Sequence, residues 1–174
     1  MRLVGSVGCV EETGVGESSG DAKAKIEAVS GDGKTFKSVE DLCTLKLMLG
    51  DGLMETGSVD AALAQWLAAS ALLGNELCFS LSADVSMRVA GAYRELGQGD
   101  LSVESARKAL VSARNARDLI RESKALRTLA LSLADVGELD DAEAQLGEAL
   151  NTLGRVDRPR LAAKVSVLLA DVLK

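Results

Sequence analysis

With 174 residues, 47% of them hydrophobic and 26% charged, the chain has material for one domain with a buried interior plus a tail, and too little length for two comfortable domains. A net charge of −6 argues against a general nucleic-acid binder, whose affinity comes from neutralising phosphates with Lys and Arg, and gives no reason to expect an anionic membrane surface as partner. The absence of histidine removes Ser–His, Cys–His and His–metal chemistry together.

Residues 1–38 are rich in Gly, Ser, Glu and Lys without helical or strand periodicity, and read as a flexible tail. Within it, Ala28 to Thr35 fits a loose phosphate-loop pattern in which Lys34 would reach the terminal phosphates and Thr35 would hold Mg²⁺. That chemistry needs a strand before the loop and a parallel sheet around it, whereas the residues that follow are helical in pattern, so chance occurrence in a Gly-rich tail is the preferred reading. Gly14 to Ser19 is similar but puts Glu17 where the Lys belongs. Cys9, Cys43 and Cys78 are odd in number and widely spaced, which suggests free thiols in a reducing compartment. The apolar run from Ala61 to Gly74 is interrupted by Gln65 and Ser70 and suits a buried helix, not a bilayer span. With no targeting signal in view, a cytoplasmic location is expected.

Helices begin near Ser38, a capping residue followed by Glu40 and Asp41. Leu42, Leu45, Leu49 and Leu53 share one face, and Gly57 ends the helix. A second helix starts near Asp60 with Ala62, Trp66, Ala69 and Leu73 on one face, and Gly74-Asn75 turns the chain. The pair recurs: Val85, Val89, Tyr93 and Leu96 lead to Gly97, then Asp100 precedes Val103, Ala106, Leu110 and Ala113, with a turn at Asn115 to Asp118. It recurs again, with Leu126, Leu129, Leu133 and Val136 before Gly137, then Asp140 as cap of a helix carrying Ala142, Leu146, Ala149 and Leu153, and a turn at Gly154. Pro159 opens a last helix, since a missing N–H is tolerated in the first turn.

Gly57, Gly97 and Gly137 stand 40 residues apart, as do Leu49-Gly50, Val89-Ala90, Leu129-Ala130 and Leu169-Ala170. Bulky residues follow three positions later, Leu53, Tyr93, Leu133 and Leu173. The second helices carry small, bulky and small residues at Ala62, Trp66 and Ala69, and at Ala142, Leu146 and Ala149; in the middle, Ala106 replaces the bulky one, which predicts looser packing there. This pattern resembles the tetratricopeptide repeat, in its longer-period variant with adaptor-like and kinesin-light-chain-like members. The resemblance implies an all-α fold of antiparallel helix pairs stacked as a right-handed superhelix, with repeats at about 41–80, 81–120 and 121–157 and a final helix over 158–174, within a domain of residues 39–174.

By the same resemblance the chain is a non-catalytic interaction scaffold or adaptor that takes a peptide or helical segment of a protein partner in a concave groove, without cofactor or metal. The alternative is a structural assembly subunit. Groove residues in the family come from the first helix of each pair, which here implies Thr44, Leu47, Asp51 and Met54, then Asp84, Met87, Gly91 and Arg94, then Lys124, Arg127, Leu131 and Ala134. The chaperone-binding branch grips a carboxylate at positions held here by Leu47, Asp51, Arg88, Lys124 and Thr128; only Lys124 matches in type, so chaperone-tail binding is not expected. Arg121, Lys124 and Arg127 recur every three residues on one helix, with Arg114 and Arg117 just before it. Unless balanced by Asp118 and Glu122, they predict an acidic or phosphorylated partner whose binding weakens with salt. Leu161, Val165, Val167, Leu168, Leu169, Val172 and Leu173 spread too widely round the last helix for one neighbour to cover, so either a partner, another copy or a larger complex, packs on it or the chain is cut from a longer array.

Overall fold

The computed structural model describes residues 39–73 and 78–172. The tail, its two phosphate-loop-like patterns, the cap at Ser38 and the Gly74-Asn75 turn lie outside the described residues. Among the described residues seven helices follow one another: α1 (Val39–Glu55), α2 (Val59–Leu73), α3 (Phe79–Glu95), α4 (Gly99–Asn115), α5 (Leu119–Asp135), α6 (Leu139–Gly154) and α7 (Pro159–Val172). Each packs antiparallel on the next, so that pairs α1/α2, α3/α4 and α5/α6 stack as a solenoid closed by α7. Val39, Phe79, Leu119 and Pro159, the first residues of α1, α3, α5 and α7, keep the 40-residue step.

The turns explain the regularity. Gly57, Gly97 and Gly137 have φ of 79°, 70° and 85°. Each donates to the carbonyl three residues back while the next residue reaches five back, as in Ser58 N to Leu53 O at 2.9 Å and Gln98 N to Tyr93 O at 2.8 Å. This satisfies the last carbonyls of the helix at the one residue type with no Cβ to clash. Between α4 and α5 the left-handed position falls on Arg117, with φ of 53°. Gly154 does not serve as the turn residue after α6: it ends the helix, and Asp157 takes the left-handed conformation at φ of 45°. Asp140 does not cap either. It lies in the first turn of α6, where its charge still faces the positive end of the helix, and Glu138 is the cap residue without a side-chain bond.

The core forms two clusters that meet at α3. Val85, Val89 and Ala92 of α3 join Leu42, Cys43 and Leu47 of α1 and Ala62, Trp66 and Ala69 of α2. Ala83 and Ala90 of the same helix join Ala106 and Leu110 of α4, Leu126 and Leu129 of α5 and Leu146 of α6. The middle pair is not loosened by Ala106: α3 and α4 make the most extensive contact of any pair. Small side chains let the backbones approach, and Ser102 Oγ, fully buried, bonds Ala90 O at 2.9 Å and Ser132 Oγ at 2.6 Å.

Leu45 and Leu49 do not belong to the packed face of α1, being 47% and 51% exposed. Their counterparts one repeat on, Val85 and Val89, are buried because α3 has a preceding pair to pack against, and among the described residues α1 has none. Cys43 is buried, and its thiol donates to Ala69 O at 3.5 Å. The free-thiol expectation does not hold for Cys78, which is disulfide-bonded. Among the described residues no helix is long and apolar enough to cross a membrane.

Candidate functional site

The first helices touch one another directly, α1 with α3 and α3 with α5, whereas α2, α4 and α6 do so far less. The contact between first helices is broadest at α3 and α5. There, an open concavity of about 540 Å³ lies between α3 and α5. Asp84, Met87 and Arg88 of α3, Asp118 at the turn, and Ile120, Arg121, Lys124, Arg127 and Thr128 of α5 line it.

Five of the groove residues expected from sequence, Asp84, Met87, Arg121, Lys124 and Arg127, thus converge on one hollow. Thr44, Asp51, Met54, Arg94 and Leu131 do not line it, and Leu47 is buried in the α1/α2 core. Arg94 reaches across to Asp135 at 2.6 Å.

The charges on this face are mostly spent on one another. Arg88 grips Asp51 of α1 through two bonds of 2.6 and 2.9 Å, and that carboxylate is the main reason its pKa is raised. Arg121 repeats the arrangement one repeat later, with Asp84 at 3.1 Å and Asp118 at 2.5 Å, which raise its pKa against the opposing effect of burial. As the N-cap of α5, the Asp118 side chain accepts backbone bonds from Ile120 N and Arg121 N at 3.0 Å. Burial pushes its pKa up, but these N–H groups and the Arg121 guanidinium outweigh that and lower it overall. Arg114 is held by Glu122 at 2.9 Å and Glu148 at 2.5 Å. The three-cation stripe on α5 is therefore reduced to Lys124 and Arg127, which pair with no carboxylate among the described residues.

Those pairs were illegible as pairs in the sequence, since Asp51–Arg88 and Asp84–Arg121 are each 37 residues apart. The signal available was the repeat itself, which sets a residue on one first helix beside the matching turn of the next. Among the described residues no group of three or more His, Cys, Asp or Glu is placed to hold a metal ion.

No protein-family model and no curated protein matches the chain. Solved structures do. The type III secretion translocator chaperone SycD of Yersinia enterocolitica superposes with a TM-score of 0.62 at 21% identity, over 76% of this chain and 92% of that one. A tpr-like protein of Chlorobium tepidum gives 0.61 at 18% identity, over 78% and 97%. The Rap conjugation gene regulator of plasmid pLS20, in complex with the Phr peptide, gives 0.64 at 23% identity, over 84% of this chain and 42% of that one. These similarities establish the class: the chain has a tetratricopeptide-repeat-like helical repeat fold.

Proposed function

We propose that the protein is a non-catalytic scaffold whose concave face holds a peptide or helical segment of a protein partner, acidic or phosphorylated in character, in the cytoplasm. The observation that carries this reading is the hollow between α3 and α5, where paired charges fix the walls and Lys124 and Arg127 stay available. Structures of similar fold point the same way by their own descriptions, one a translocator chaperone and one a regulator bound to a peptide. The longer-period, adaptor-like variant of the repeat suits this role.

A peptide-array screen with purified protein tests the reading. Acidic peptides should bind, more weakly as salt rises, and Lys124→Glu with Arg127→Glu should abolish binding while the helical signal stays. Substitution of the outer-face Val111 by Glu should change nothing. Binding lost with Val111→Glu and kept in the double variant would place the ligand elsewhere.

A second reading, an assembly subunit packing through α7, is favoured by one observation. Val167 is 62% exposed on that helix, and Leu161, Leu168, Leu169 and Val172 are only half-buried against the core.

A further inference from the structure

Four arginines of the described chain are half-buried, and three of them have a carboxylate: Arg88 has Asp51, Arg94 has Asp135 and Arg121 has Asp84. Arg127 has none, and its Nε is buried without any hydrogen-bond partner. Its place in the repeat makes this more unusual. One and two repeats earlier the same position holds Met87, half-buried against the core, and Leu47, buried in it, and one repeat later it holds the exposed Val167. A guanidinium stands where the architecture otherwise uses an apolar side chain.

Beside it, α5, α6 and α7 border a partly open cavity of about 210 Å³. Ser123, Lys124 and Arg127 of α5 face Lys164 of α7 across it, and Leu153 and Val165, both almost fully buried, form its apolar part. Lys124 and Lys164 hold the same repeat position on successive first helices, so the stacking itself brings them to one place. No carboxylate lines the cavity, and none pairs with these three cations among the described residues. At about 30 Å³ per water, the space has room for a tetrahedral oxyanion and a few waters.

We propose that this cavity is an oxyanion site that takes a phosphoryl group borne by the peptide on the concave face, an assignment that rests on the scaffold reading above. Three cations beside an apolar wall favour a group with more than one negative charge. A phosphoryl group carries about −1.5 to −2 at pH 7 and three strong acceptor oxygens, against one charge for a carboxylate. Only Lys124 is shared with the positions at which the chaperone-binding branch grips a carboxylate, so the constellation is a different one.

The test is an NMR titration of the whole chain with inorganic phosphate at constant ionic strength, with acetate in a parallel arm. Saturable shifts at Ser123, Lys124, Arg127 and Lys164 are expected, with affinity lowered at least tenfold by Arg127→Met, which restores the residue type of Met87. Lys164→Gln, at an exposed position, should weaken binding without touching the core, and Arg107→Met on α4 should leave it unchanged. Equal affinity in all variants, or shifts without saturation, would overturn the site, as would acetate binding as tightly as phosphate. Peptides that still bind the concave face in that case would leave the scaffold reading standing. Saturable phosphate binding here with no peptide on the array would support the site and overturn the scaffold.

Discussion

Gly50 shows how a single residue sets the spacing of two helices. It is buried on α1, and a Cβ there would fall within the van der Waals envelope of the Trp66 indole, whose N–H donates to Leu47 O at 3.3 Å. The two neighbouring pairs reach the same end with other sizes: Ala90 is matched by Ala106 and Ala130 by Leu146, all buried. Gly50→Ala would gain about 1 kcal/mol of helix propensity, but the indole is 2% exposed and has nowhere to move. Overpacking costs about 1–3 kcal/mol and the indole hydrogen bond about 1 kcal/mol more, so a net loss of about 1–3 kcal/mol is expected in urea denaturation. Gly52→Ala is the control, since its added Cβ meets nothing within 4 Å. That substitution should stabilise by about 0.5–1 kcal/mol, and a loss there of the same size as at Gly50 would show that the indole contact is not the cause.

At the level of the element, the α4–α5 connection combines a strained turn with a strong cap. Arg117 sits in the left-handed conformation, as Asp157 does one repeat later, whereas the turns within the pairs give that conformation to glycine, and it is exposed and makes no ion pair among the described residues. Arg117→Gly should therefore raise stability by about 1 kcal/mol, read as a higher thermal midpoint. The adjoining Asp118 works in the opposite sense: Asp118→Ala removes the cap of α5 and should cost about 0.5–2 kcal/mol. Because the folded-state pKa of Asp118 is lowered, its contribution is fully present above the unfolded aspartate value near 4. It fades as pH falls through the lower folded value. The difference in stability between wild type and Asp118→Ala should thus be constant near neutrality and shrink below about pH 4; a difference that grew on acidification would contradict the capping role.

Across the whole molecule, what could be read from the sequence was whatever the repeat fixes locally. Helix periods, the glycines at 57, 97 and 137, and the small-bulky-small faces of α2 and α6 all depend on neighbours within one pair, and the structure has them in place. What could not be read depends on which pair precedes or follows. Leu45 and Leu49 match their columns yet lie exposed, Arg121 looks available until Asp84 arrives from the previous repeat, and Lys164 joins Lys124 only once α7 has docked. The same dependence governs the last described helix. Val165 occupies the column of Val85 and Ala125 and is buried like them, because α6 precedes it. Val167 has no such cover. A helix that follows in a solenoid, or a second copy, would bury Val167 and the exposed flanks of Leu168 and Leu169, and association through this face should follow the apolar area it removes from water. Sedimentation over a rising concentration series should show reversible self-association that Val167→Glu weakens at least tenfold, while the circular dichroism of the variant is unchanged. Lys108→Glu on α4 changes charge in the same direction away from α7, so loss of association in that variant would point to overall charge, and a monomer at every concentration would remove the assembly reading altogether.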